Sequence, residues 1–338
     1  MYNKYNMTKE NMKERESLHQ TIKKSRPNLS PNSIKTYISS LYHLYKKSGS
    51  KGEFDTLNFL KDFDEMKKII DELEKETTKK TRLTSIVVGL KSLPENKERT
   101  KLIEKYSDMM EKCAEKYMNW VKKQEKSEKQ EKNWVTLEEL DKVANRLFTR
   151  ITERDIRTKE NLTKKDYNLL QEYVLLRLYD SFVIRNDFGS MRVISSEDFE
   201  KLKDKKDKNY LVTNGKYKIV LNKYKNSKFL GSKEYIINSK LKKVLKLWFK
   251  HNKSGFVLTK QDRERELGSN GLTKFMTKIF QRELGKNIST SMLRHIRATE
   301  DLKDEPSILE KEKSDKAIEK KYLHSVQMHN QYRKIDKK

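Results

Sequence analysis

One cysteine, Cys113, stands in a chain of 338 residues, which excludes a disulfide framework and any cysteine-rich zinc site. No apolar run approaches the roughly 20 residues that a membrane-spanning helix needs. The amino-terminal MYNKYNMTKE has no signal-peptide pattern. Hydrophobic residues are scarce as well, 34% against 38% charged, so the cores are modest and the surfaces heavily solvated. The expectation is a soluble intracellular protein with no membrane partner, in the host nucleus or cytoplasm or carried in a virion.

What the chain has in excess is positive charge. Lys and Arg number 77 against 50 Asp and Glu, a formal net charge of +27. Charge on that scale points to a polyanionic partner, most simply nucleic acid. A disordered polycation has the same charge, but the helical periodicities and the 16 Tyr, 12 Phe and 3 Trp argue against disorder.

The length suits two domains. Residues 1–26 are polar and read as a flexible basic arm. Ser30-Pro31 then reads as a helix start, with Ser30 as N-cap and Pro31 at the first helical position. Ile34, Ile38, Leu41 and Leu44 follow at helical spacing, and three more amphipathic stretches carry the pattern to Val121. Residues 27–121 are therefore expected to be an all-helical domain. KKQEKSEKQEKN, residues 122–133, has no apolar residue and reads as a charged linker.

The second domain, 134–338, opens on Thr136 and Glu139 at capping-box spacing. Helices give way at Tyr210 to YLVTNGKYKIVL, two β-runs joined by Asn214-Gly215, a strong hairpin signal. A third run, EYIIN, begins at Glu234. This predicts a three-stranded antiparallel meander among helices, a mainly α, α+β domain.

Four islands of this domain carry chemistry. LYDSFVIRNDFGSMRV holds Arg185, and the turn after the second β-run holds Lys225 and Lys228. STSMLRHIRATE holds Ser291, Arg294 and His295, and KKYLHSVQMHNQYRK holds His324 and Tyr332. Two Arg, a Lys, a His and a Tyr are what metal-free phosphoryl transfer to a phenol needs. The transition state piles negative charge on phosphate oxygens, and Arg offers a planar fork that never deprotonates. A Lys can give the departing alcohol its proton. A covalent phosphotyrosine conserves the bond energy, so no ATP is consumed.

The order of these islands resembles the tyrosine recombinase (phage integrase) family over most of the chain. LSPNSIKTYISSLYHLYKK looks like the opening helix of that family's core-binding domain, a SAM-like helical bundle. Arg185 resembles the first family Arg, Lys225 the hairpin Lys, and Arg294, in Leu293-Arg294-His295, the second Arg. Leu323-His324-Ser325 looks like the family's Gly-His-Ser, and Tyr332 is then the implied nucleophile. The resemblance implies a viral or mobile-element enzyme that binds double-stranded DNA and acts as a homotetramer on two duplexes, without cofactor. Departures stand beside it: Ser291 occupies the place of a family His, Leu323 replaces Gly, and six residues follow Tyr332. His295 is the nearest substitute for the missing His.

Each residue also has a plainer account. Arg185 alone reads as a surface Arg or one paired with Asp187. Lys225 and Lys228 have equal claims as proton donor, and Lys223 shares their turn. His324 and His329 stand five apart, off a common helix face, with no carboxylate or Cys beside them, so no metal site is expected. Lys35, Lys46 and Lys47 on the first amphipathic helix would meet phosphates rather than bases. The rival functions are a type IB topoisomerase-like enzyme, a DNA-binding protein of the same fold that has lost catalysis, and a basic RNA-binding protein.

Overall fold

The computed structural model describes residues 9–322, and among them the chain is mostly helical with one small sheet. The described chain divides into two compact units, residues 9–125 with 306–322 and residues 126–305.

The first unit is built from α1 (Lys9–Ser25), α2 (Pro31–Lys47), α3 (Phe63–Asp71), α4 (Glu76–Ser92) and α5 (Lys97–Lys122). Helix α2 begins where its sequence signals place it: the Ser30 hydroxyl accepts the Ser33 N–H, with Pro31 next. Its inner face of Ile34, Ile38, Leu41 and Leu44 is buried against α4, which contributes Leu83, Ile86 and Leu90. A Cβ on Gly89 would lie 2.8 Å from Leu57 Cδ1 and 3.1 Å from Leu41 Cδ1, so a larger residue there would have to push these Leu side-chain ends aside. Tyr106, fully buried on α5, donates its hydroxyl to the Leu60 carbonyl at 2.8 Å.

The expectation of a flexible arm over residues 1–26 is corrected for 9–25, which form α1. Only Leu18 and Ile22 of this helix are buried hydrophobics. One i,i+4 pair is too thin a stripe to stand out as periodicity; α1 packs against α2 and α4, so tertiary burial supports it.

The second unit runs α6 (Glu128–Asn133), α7 (Leu137–Glu153), α8 (Lys164–Ser181), β1 (Arg192–Ser195), α9 (Ser196–Lys201), β2 (Tyr210–Thr213), β3 (Lys218–Leu221), α10 (Ser227–Leu230), β4 (Lys233–Ile236), α11 (Ser239–His251), α12 (Gly268–Leu284) and α13 (Thr290–Asp301). The segment 122–133, read as a linker, thus contains a short helix with a Ser127–Gln130 capping box. A last helix, α14 (Ile308–Tyr322), was read as part of the second domain but groups with the first unit. There Glu312 pairs with Lys122 at 2.9 Å, and the Ile308 N–H donates to Gln124 Oε1 at 2.8 Å.

The sheet has four strands in the order β1-β2-β3-β4, with β1–β2 parallel and the other two pairs antiparallel. The expected three-stranded antiparallel sheet is corrected: its meander is present, and β1 is added along one edge. Asn214 and Gly215 both have positive φ (64° and 55°), the geometry that a tight right-twisting hairpin demands. Strand β1 was hidden because RVIS is four residues long and runs straight into the Ser195-capped helix α9. Its partner is reached only by a crossover, which leaves no local turn signal. Along β2 and β3, Leu211, Ile219 and Leu221 face the main core while Tyr210, Val212 and Val220 join Phe199 in a smaller cluster.

Helix α8 is the axis of this core, with Tyr167, Leu170, Val174, Leu175 and Leu178 buried. Its polar flank is held by charge. Arg282 on α12 binds both oxygens of Glu172, at 2.9 and 2.7 Å, and reaches Glu283 through Nε at 2.8 Å. Arg150 on α7 forks onto both oxygens of Glu283 at 2.7 and 2.8 Å. The Glu283 side chain is only 3% exposed. Hydrogen bonding to Arg150, then to Arg282, outweighs burial and lowers its pKa from 4.5 to about 2.

A depressed carboxylate stabilises the fold fully above its unfolded pKa and loses that contribution as pH falls through the folded one. The Glu283 contribution is therefore whole above pH 4.5 and gone near pH 2. Glu283→Gln is expected to lower unfolding free energy at neutral pH by about 1–2 kcal/mol, discounted because Arg150 faces water. Urea unfolding at pH 7 and pH 3 checks this: the difference between wild type and variant shrinks at pH 3. No helix among the described residues is long and apolar enough to cross a membrane.

Candidate active site

Helix α8 ends when Phe182 turns extended, and the chain passes Arg185 into a 3-10 turn, Asn186–Ser190. The backbone here is firmly held. Buried Tyr179 donates its hydroxyl to the Arg185 carbonyl at 2.6 Å, which folds the loop back onto the helix it has just left. Burial, and then the Asp187 charge, push the Tyr179 phenol well above its ordinary range, with Arg294 opposing. Tyr179 therefore acts as a neutral donor. The Arg185 side chain itself is exposed.

The next residue, Asn186, ties three elements together. Its amide donates to Thr273 Oγ1 on α12 at 2.9 Å, and its carbonyl oxygen accepts from the hydroxyl of Thr290, the first residue of α13. Three residues on, Gly189 lies against the start of α12. A Cβ there would be 2.6 Å from the Gly268 carbonyl oxygen and 2.7 Å from its carbon, distances that backbone cannot yield. Glycine is required for this contact.

Helix α13 starts on the Ser289 cap and buries Met292, Leu293 and Ile296. Arg294 stands four residues after Thr290, hence on the face that meets the Asn186 loop. The docking of α13 thereby brings Arg294, like Arg185, within electrostatic reach of Asp187, although neither guanidinium forms an ion pair with it. Their shared neighbour is Asp187. Burial raises the Asp187 carboxyl, and its own backbone N–H, Arg185 and Arg294 pull it back only in part. Arg294 Nε is buried and has no hydrogen-bond partner among the described residues. The result is two guanidinium groups within electrostatic reach of one half-buried carboxyl, with the Arg294 Nε donor unmet among the described residues. A buried unmet donor is costly, and a bound anion is what would meet it.

The remaining expected residues fall out as follows. Ser291 is exposed, three residues before Arg294 and so on a neighbouring part of its face. His295 is exposed and one step round the helix, off the Arg294 face. Lys225 and Lys228 are exposed on the β3–β4 connection, and the electrostatic contacts that join Arg185 and Arg294 to Asp187 do not include them. In the first unit Lys35, Lys46 and Lys47 lie exposed on α2, Lys46 over the Tyr42 ring at 5.5 Å and Lys47 paired with Glu72 at 3.7 Å. His324 and Tyr332 lie outside the described residues. Among those described, no cluster of three His, Cys, Asp or Glu is placed to hold a metal ion.

Sequence reasoning missed Asn186, Thr273 and Thr290, which set the spacing of the Arg pair. It also passed over Gly189, although a lone Gly between buried Phe188 and Met191 is a signal of close backbone approach. Comparison with family models, curated proteins and solved structures yields no match.

Proposed function

We propose that the chain is a site-specific DNA recombinase or integrase of the tyrosine type. The observation that carries the proposal is that Arg185 and Arg294 both act electrostatically on Asp187 while Arg294 Nε has no hydrogen-bond partner among the described residues. A +27 chain with such a pair suits a phosphodiester between two arginine forks.

In the proposed reaction the Tyr332 oxygen attacks phosphorus and gives its proton to solvent. The bond to the 5′ oxygen breaks, and Lys225 or Lys228 protonates that oxygen as it leaves and regains a proton from solvent. Arg185, Arg294 and His324 hold the charge on the non-bridging oxygens. A 3′-phosphotyrosyl ester and a free 5′-hydroxyl result. Attack by another 5′-hydroxyl reverses the step and returns the tyrosine, so neither metal nor ATP enters the balance. Four protomers on two duplexes would complete an exchange. Ser291, standing where the family has a His, supports a second reading, a DNA-binding protein of this fold that no longer cuts.

The experiment is incubation with a pool of nicked duplexes, randomised around the nick, in chelator and without nucleotide. A denaturant-resistant protein–DNA adduct is the expected result. Binding without any adduct on any duplex supports the second reading.

The lysines of α2 make a separate prediction. Each phosphate contact releases counterions, so affinity falls with log salt at a slope of about −0.9 per contact. Lys35→Gln, Lys46→Gln or Lys47→Gln is each expected to flatten that slope by about one, with no change in sequence preference. A salt titration by fluorescence anisotropy reads it. Lys47 is expected to give the smallest change, since Glu72 already competes for it.

A further inference from the structure

The connection between β3 and β4 exposes apolar side chains in a way the proposed chemistry does not use. Phe229 is 89% exposed and Leu230 54%, both on the four-residue helix α10. A full-sized aromatic ring left in water forgoes the stabilisation that burial would give it. The segment that holds it is pinned at its base and neck. Asn209 Oδ1 accepts the backbone N–H groups of Asn222 and Lys223 at 2.9 and 2.8 Å, and Asn222 donates to the Lys205 carbonyl at 2.6 Å. The Tyr224 hydroxyl closes the neck on the Gly231 carbonyl at 2.8 Å. Gly231 turns the chain at a φ of 65°.

The charge around this tip is predominantly positive, with Asp207 paired to Lys223 at 3.6 Å at its base. Between Asp207 and Glu234 the chain carries seven lysines and no acidic residue. Lys223, Lys225, Lys228 and Lys233 are all exposed. A second copy of the same tip would bring the same lysines, so like-charge repulsion opposes self-association here. The complementary partner is a polyanion that also offers an apolar interior. Duplex DNA has both, phosphates outside and stacked bases within.

We propose that the β3–β4 tip is a wedge: Phe229 inserts between adjacent base pairs and locally unstacks the duplex, while the flanking lysines hold the phosphates. Apolar wedges that kink DNA work on this principle, exchanging stacking at one step for a bend that brings more protein surface to the duplex. Pyrimidine–purine steps unstack most readily, so TA steps are the preferred point of entry. The inference rests on the DNA-binding part of the function proposed above and is independent of whether the strand is cut.

The test uses the full-length protein and a set of AT-rich duplexes, each with one 2-aminopurine beside a TA step. A second set carries donor and acceptor dyes at its ends. Wild type is expected to raise 2-aminopurine fluorescence at one step and to shorten the end-to-end distance. Phe229→Ala is expected to lose both signals while keeping the salt slope of binding, and Phe229→Trp to restore them. Because the side chain is exposed, the alanine variant removes no core contact, and unchanged circular dichroism confirms the fold. Binding by wild type with no fluorescence rise at any step overturns the wedge and leaves DNA binding standing. No binding to duplex at all overturns both. Phe229-dependent binding to phosphatidylserine vesicles, or Phe229-dependent dimerisation in the ultracentrifuge, together with an unchanged DNA signal, overturns the wedge in favour of a membrane or a second copy.

Discussion

Replacing Tyr332 with Phe is expected to reduce the covalent adduct below detection while leaving affinity for duplex DNA and its salt slope unchanged. The variant removes one oxygen and nothing else from the side chain. In the proposed function binding rests on lysines and arginines spread over the chain, which the substitution leaves in place. Cleavage, in contrast, has no other proposed nucleophile. The effect is all-or-none rather than graded, which sets it apart from a loss of fold or of DNA contact. It is read by denaturing gel beside an anisotropy titration on the same preparation. A persistent adduct in the variant would exclude Tyr332 as the attacking residue.

The second large effect belongs to Arg294. Arg294→Ala is expected to slow adduct formation by about 10²–10³-fold, the usual cost of removing one preorganised donor from a developing oxyanion. Arg294→Lys should recover only part of this, because an ammonium keeps the charge but loses the fork. Stability points the other way. Arg294 Nε is buried with no partner among the described residues, so its removal breaks no hydrogen bond with them at that atom and relieves an unmet donor. The melting temperature is therefore expected to hold or rise slightly. If Arg294 served mainly to neutralise Asp187, the alanine variant would instead lose stability and activity together. Removing this cation also leaves the Asp187 carboxyl with Arg185 as its one remaining attractive neighbour among those that lower it, which raises its pKa further. Thermal unfolding and single-turnover rates on the same variant separate the two roles.

The parts of the fold that were legible in the sequence are those where one local rule acts alone. Ser30-Pro31 fixed the start of α2, Thr136 and Glu139 the start of α7, and Asn214-Gly215 the hairpin. Each is a cap or turn whose chemistry lies within four residues. What escaped was structure made by distant partners. Helix α1 shows two buried hydrophobics and is held by α2 and α4; β1 is four residues whose ladder partner lies beyond α9. The same division runs through the candidate site. Arg185 and Arg294 are legible through the resemblance of their settings to the tyrosine recombinase pattern, Arg185 after an apolar helix and Arg294 within Leu293-Arg294-His295. The loop that carries Arg185 and the helix that carries Arg294 are tied by Asn186 bridging Thr273 and Thr290, and by Gly189 admitting the Gly268 backbone. Nothing local in Thr273 or Thr290 marks them. The side-chain hydrogen bonds exist only once α12 and α13 have docked.

The most direct measurement is to digest the protein–DNA adduct with protease, isolate the DNA-linked peptide and sequence it by mass spectrometry. The expected result is a single peptide from the carboxyl-terminal island, phosphorylated on Tyr332 through the 3′ end of the cut strand, with the other strand end free as a 5′-hydroxyl. A linkage to any other residue, or a 5′-linked peptide, would contradict the proposed chemistry.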